Sequence, residues 1–373
     1  MSVIDQIAQA LATAQVARPG RRQVLTGGAV ALTAAVTLRT PDSEAKKKRH
    51  RKKKRKHDKG GGPSQGQGCG NGCVSSTCGQ TPTDCPILPA DNIWNRRVDA
   101  LPLAAMSAAY VSSIGTDGGL HPDFGSGLYK GEPFGIPFVR VPAGQAKVGV
   151  RFTDAADESD AGPYPIPADA PVENGSCSNG DRHVIVVQEE FCMLYELFAA
   201  KQENDGSWQA FCGAAFDLQS NTLRTAGWTS ADAAGLPILP GLVRYEEIAS
   251  GNIEHALRFT AARTQSAYVW PARHQAGSTN DVNVPPMGQR FRLKAGVDIS
   301  GFSQTNQIIL QALKTYGMIL ADNGSNWFLS GAQDNRWDND DLRTLQSEIH
   351  GNDFEAVDCS SLKMSDHSGQ AAA

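Results

Sequence analysis

From residue 85 onward the chain reads as short apolar or alternating runs separated by Gly, Pro, Asn and Asp. The runs "GIPFVRVP", "KVGVRFTD", "RHVIVVQEE", "CMLYELFAA", "WQAFCGAAFDL", "HALRFTAAR", "AYVWPAR", "QRFRLKA", "GMILAD" and "NWFLSG" each have the length and composition of a strand. Helical spacing is rarer. "LPLAAMSAAYVSSIG" places Leu103, Met106, Tyr110 and Ile114 on one face, and "PGLVRYEEIASG" gathers Leu242, Tyr245 and Ile248. "SQTNQIILQALKTYG" aligns Ile309, Ala312, Leu313 and Tyr316 behind a capping Ser303. Each of the three stops at a glycine (Gly115, Gly251, Gly317), the residue that most cheaply takes a left-handed C-terminal cap. The pattern predicts a mainly β fold, α+β only at the margins, with a β-sandwich or jelly-roll-like core and a few decorating helices.

Residues 1–84 follow a different pattern. Arg21 and Arg22 precede a charge-free apolar run from Val24 to Leu38, too short for a membrane span and suited to the h-region of an export signal. "SEA" at 43–45 offers a cleavage site, so residues 1–45 read as a twin-arginine-like signal and the mature protein as secreted and not transmembrane. Eleven Lys and Arg then fall within residues 46–59, followed by a glycine-rich stretch to residue 68. Such density repels itself and reads as a disordered tether. It would hold the protein against an anionic cell envelope.

The charge split narrows the partners. Residues 1–59 carry fifteen basic and four acidic residues, whereas the remainder carries twenty basic and thirty-five acidic ones. A nucleic-acid enzyme spreads positive charge over its binding face. Here the folding part is acidic, which argues against nucleic acid as its partner.

Export bears on the eight cysteines, since an even count in a secreted chain favours disulfides. Cys69, Cys73, Cys78 and Cys85 read as a small stapled knot over residues 69–85 rather than a zinc knuckle, because no histidine pair accompanies them. Cys192 and Cys212 lie in consecutive strand-like runs and could face each other across a hairpin. One globular domain is expected over residues 86–360, with a frayed tail at 361–373.

The phrases "CPILPADNIWNRRVDALP", "LHPDFG", "DESDAGPYPIPADAPVE", "GWTSADAAGLPILPGLVRYEEI", "YVWPARH" and "ALKTYGMILADNGSNWFLSG" resemble a group of secreted bacterial proteins with twin-arginine-type signals. The resemblance covers nearly all of residues 85–359. It implies secretion and carries no activity, so the chemistry rests on the residues themselves.

Phosphate loops, H-E-x-x-H zinc helices and G-x-S-x-G elbows are absent from the sequence. Six polar constellations remain. "LHPDFG" sets His121 and Asp123 two apart in a loop, and "DAADESDAGPYPIP" groups Asp154, Asp157, Glu158 and Asp160 before Tyr164. Clustered carboxylates raise one another's pKa or hold Ca²⁺, and otherwise form a solvated turn. "GDRHVIVV" brings Asp181, Arg182 and His183 to the start of a strand. In "LYELF", Glu196 points away from Tyr195 and Leu197, which makes it either a catalytic carboxylate on a wet sheet face or a surface residue. "YVWPARHQ" joins Tyr268, Trp270, Arg273 and His274, a set suited to stacking on sugars and neutralising uronates. "DNRWDNDDLRTLQSEI" is more simply a helix capped by Asp340 or Asp341 than a calcium loop.

Two function classes follow. One is a secreted enzyme acting on a polysaccharide or cell-wall polymer. It works as a hydrolase through paired carboxylates (Asp123, Glu158, Asp160, Glu196), or as a lyase through His121, Tyr164 or His183 with Arg273 and His274. The other is a non-catalytic wall-binding protein presenting Trp270 and its neighbours to a glycan. Neither requires a resident cofactor; Ca²⁺ is the one ion the acidic clusters suggest.

Overall fold

The computed structural model describes residues 85–373. The export signal, the basic tether, and Cys69, Cys73 and Cys78 lie outside the described residues.

In chain order the strands are β1 (His121–Asp123), β2 (Leu128–Tyr129), β3 (Glu132–Pro133), β4 (Phe138–Val141), β5 (Val150–Phe152), β6 (Val184–Gln188), β7 (Met193–Phe198) and β8 (Lys201–Gln202). They continue with β9 (Trp208–Ala210), β10 (Cys212–Asp217), β11 (Leu257–Ala261), β12 (Arg290–Leu293), β13 (Met318–Asn323), β14 (Phe328–Ser330) and β15 (Phe354–Val357). The α-helices are α1 (Ser107–Ile114), α2 (Tyr245–Ser250), α3 (Gln304–Thr315) and α4 (Asn339–Glu348). The fold is mainly β with few helices, as the apolar runs predict.

A six-stranded sheet has the order β1-β14-β11-β13-β12-β15, and a four-stranded sheet the order β10-β7-β6-β4. A three-stranded sheet, β5-β9-β8, and the β2-β3 hairpin complete the set. The three larger sheets are mixed: β1/β14, β11/β13, β4/β6 and β5/β9 run parallel.

The four-stranded sheet is covered on both faces. Ile185, Val187, Leu194 and Ala214 join the main core with the six-stranded sheet, while Val184, Val186, Tyr195 and Leu197 form a second core with Tyr164 and Trp208. Glu196, read as an exposed or wet-face residue from its alternation, therefore sits on the main-core side and is fully buried. The alternation is as expected; the second layer removes the solvent.

Behind the six-stranded sheet, Trp327 stacks between Phe259 and Phe354 and meets Phe291 edge-on. Its indole N–H donates to the Gly115 carbonyl at 2.7 Å. Gly351 abuts it so closely that a Cβ there would stand 2.7 Å from the indole nitrogen and 2.1 Å from the Gly115 oxygen.

Four sequence expectations are corrected. Cys85 bonds to Cys192, 107 residues away, rather than closing a local knot, and Cys212 is a buried thiol opposite Phe198. The 361–373 segment is not frayed: Gln370 bridges to Asn92, Ser368 to Thr222, and Ala371 is buried. Helix α1 begins at Ser107, because Leu103 is drawn into a bridge with Val357. Helix α4 is capped by Asp338, whose carboxylate accepts from the Asp340 and Asp341 amides. Asp340 instead pairs with Arg343 at the surface.

Candidate functional site

One face of the six-stranded sheet is polar, and strand register explains why. In β11, Leu257 and Phe259 point to the core, so Arg258 and Thr260 point the other way. Pairing partners share a face, which puts Ser330 and Asp123 on the side of Arg258 through the β14 and β1 registers. Asp322 belongs there only because of an irregularity. Phe259 pairs with Leu320, but Thr260 pairs with Asp322 after a register shift that leaves Ala321 as the extra residue. Without that bulge Asp322 would share the core face with Leu320.

Arg258 organises this face. Its Nε and Nη2 each donate to an Asp232 oxygen at 2.8 Å, Nη2 also reaches Asp322 Oδ2 at 3.1 Å, and Nη1 donates to Ser330 Oγ. The Asp232 side chain is wholly enclosed, whereas that of Asp322 is 19% exposed. Two carboxyls therefore share one cation. Asp232 holds it in a bidentate grip, so Asp322 is the one that retains a proton. Burial, reinforced by the Asp232 charge and only partly offset by Arg258, pushes Asp322 up to about 8.

The 173–183 loop supplies the rest. His183 Nδ1 lies 2.6 Å from Glu173 Oε2 and its Nε2 lies 3.2 Å from the Ala231 carbonyl. Both partners only accept, so both ring nitrogens donate and the ring is an imidazolium. Burial alone would lower the His183 pKa; the Glu173 charge and hydrogen bond outweigh it and lift it to about 9. Burial likewise opposes the Glu173 charge, but His183 wins and holds that carboxyl below its ordinary value.

Asp123 and Asp181 complete the group, and neither carboxyl receives a hydrogen bond from the described residues. Desolvation raises both, with the Glu173 charge adding to each, even though the Asp123 side of the cluster opens to solvent. Beside Asp123, His121 stacks on Phe328 at 4.0 Å and meets Gln346 at 3.1 Å. Five carboxyls (Asp123, Glu173, Asp181, Asp232, Asp322) thus face two buried cations, Arg258 and His183.

Glu173, Asp181 and His183 place potential ligand atoms within 4.8 Å of one another. A metal needs an imidazole lone pair, and His183 has none while both nitrogens donate. As arranged, an ion there would have to displace the His183 proton.

The remaining sequence candidates lie elsewhere. Glu196 accepts from the Ile238 and Leu239 amides through both oxygens, and burial nevertheless pushes it up to about 7. It clamps the turn at Leu239–Gly241 and does not reach solvent.

Glu158 and Asp160 form a second cluster around Arg224. Arg224 pairs with Asp160 and donates to the Glu158 carbonyl at 2.7 Å and the Thr229 carbonyl at 2.8 Å. Glu158 Oε2 accepts from the Thr229 amide at 3.0 Å and lies 4.0 Å from His274 Nε2. Tyr164 is buried and donates to the Asp160 carbonyl at 2.7 Å, so it is no exposed substrate platform. Trp270 and Arg273 are tied to the C-terminal segment through the Ser368 and Asp366 carbonyls. Tyr268 is exposed, on a bridge to Met287.

The structure therefore brings together His121, Asp123, Asp181 and His183, separates Glu158, Asp160, Tyr164, Trp270, Arg273 and His274 from them, and buries Glu196 within electrostatic reach of His183 and Asp232. Glu173, Asp232, Arg258 and Asp322 had not been singled out. The available signal was a charge set inside an apolar run, as in "LRF" and "MILAD". No protein-family model, no curated protein and no solved structure matches the chain. Among the described residues, no helix is long and apolar enough to cross a membrane.

Proposed function

We propose that the polar face around Arg258 is an acid–base site, and that the protein is a secreted enzyme cleaving an extracellular polysaccharide or cell-wall polymer. The observation that carries this reading is the divergence of neighbouring carboxyls. Glu173 is held ionised by His183, while Asp322 keeps its proton to about pH 8. Groups whose environments push their pKa values apart supply a proton donor and a base at the same pH. Asp322 is the donor to a leaving oxygen, and Asp123, exposed and without a hydrogen bond from the described residues, is the carboxyl available to act as base. Arg258 and His183 hold the constellation in place. Hydrolysis needs this pair and a water. Elimination would need a base beside a neutralised uronate carboxylate, and the cations here are already engaged by Asp232 and Glu173, which favours hydrolysis.

The test is turnover of a panel of neutral and uronate-containing polysaccharides, read as new reducing ends and as the ultraviolet absorbance of unsaturated uronates. Reducing ends that disappear in Asp322→Asn support the reading. Product formation unaffected by Asp322→Asn and Glu173→Gln would sink it, and tight glycan binding without any product would favour the wall-binding alternative.

A further inference from the structure

A cleft of about 420 Å³ lies away from the acid–base face, between α3 and the 251–254 loop. Volumes of this order suit small-molecule ligands. Gln304, Gln307 and Gln311 recur every three or four residues along α3 and so line one wall. Ile253, Ile299 and Ile308 also border the cleft, with Tyr316 at its end.

Part of the polar inventory here is unspent. Gln304 makes no side-chain hydrogen bond within the described residues. Gln307 and Gln311 donate their Nε2 to Phe302 O and Thr315 Oγ1, which leaves both carbonyl oxygens open. The Tyr316 hydroxyl makes no hydrogen bond within the described residues.

The charges, by contrast, are largely satisfied. Arg97 is forked onto Asp99, and Glu254 Oε1 accepts from Asn252. Amides that both donate and accept, an aromatic ring and an aliphatic border match a pyranose, whose rim is hydroxyls and whose face is C–H, while the Glu254 carboxylate, which has no cation paired to it among the described residues, disfavours an anionic sugar. We propose that this cleft is a second binding site, taking a neutral hexose unit of a glycan. Only the choice of ligand rests on the proposed polysaccharide substrate; the cleft itself stands apart from the acid–base face.

The full chain should be titrated with maltotriose, cellotriose and the trimer of galacturonate, by calorimetry and saturation-transfer NMR. A neutral trisaccharide is expected to bind, and Gln304→Ala combined with Gln311→Ala to weaken it about tenfold, as the loss of two amide partners implies. Both positions are exposed, so melting should be unchanged. Should the double variant lose stability, Gln304→Ala alone removes a side chain the fold does not use. The proposal is overturned if neither neutral trisaccharide binds, if binding ignores these variants, or if galacturonate binds there more tightly. Cleft binding with turnover that Asp322→Asn leaves intact sinks the acid–base reading alone. Turnover without cleft binding sinks this proposal alone.

Discussion

Two charge clusters lie on either side of the 228–236 loop, and they differ in balance. On one side Thr229 and Ala233 serve Arg224, Glu158, Asp160 and His274, where each carboxylate meets a cation or an amide. On the other side Ala231 and Asp232 serve His183 and Arg258, where carboxyls outnumber cations and two of them have no partner. A matched set gains nothing by exchanging protons, so it is scaffold. An unmatched set must keep protons on some of its acids near neutrality, and that is the condition for acid–base chemistry.

The largest expected effect breaks the unmatched cluster at its centre. Arg258→Met strands the enclosed Asp232 and should cost about 3–5 kcal/mol in denaturant unfolding. A loss under about 1 kcal/mol would show that Arg258 does not hold the face together. Next, Asp322→Asn should lower turnover by about 10²–10⁴-fold, the usual contribution of a general acid, with melting unchanged or raised. Asp160→Asn, across the loop, should leave turnover intact and cost about 1 kcal/mol, since that carboxyl is partly exposed.

The pH profile sharpens the contrast. Asp322 (ordinary value 3.8, folded about 8) and His183 (6.5, folded about 9) both bind protons more tightly when folded. Each contributes stability that is full below its unfolded pKa and lost as pH rises through its folded one. Melting temperature should therefore fall between about pH 4 and 9. Asp322→Asn should flatten the lower part of that window and His183→Gln the upper part. Glu173 acts oppositely: its contribution is present above its unfolded pKa of 4.5 and disappears as pH falls through its lowered folded value. An unchanged profile in both variants would refute the assignment.

The smallest effect is expected at Glu196→Gln. It should keep turnover, alter stability by about 1 kcal/mol and remove only the slope between pH 4.5 and about 7, because its oxygens serve two backbone amides.

Much of the scaffold was legible in the residues. The "HALRFTAAR", "QRFRLKA" and "GMILAD" runs became β11, β12 and β13, and Ser303 caps α3 through the Asn306 amide. Gly251 and Gly317 take the left-handed backbone their helix ends require. His121, Asp123 and His183 were visible because they sit in short polar phrases at strand mouths. Arg258 and Asp322 were not, because a charge in a strand does not announce its partner. Arg290 in "RFRL" looks like Arg258 in "LRF", yet its guanidinium donates only to the carbonyls of Ile93, Arg96 and Tyr316.

What the sequence determined by itself is therefore local: which runs extend, where helices stop, and which apolar stretches carry a charge. These depend on neighbours within a turn or a pleat. The tertiary structure decided which charges meet. Asp322 reaches Arg258 across 64 residues and Asp232 across 26, and Asp322 faces them only because a bulge in β13 turns it from the core. Cys85 finds Cys192 rather than a nearer cysteine for the same reason. Partners at such separations are chosen by packing and register, which no window of adjacent residues encodes.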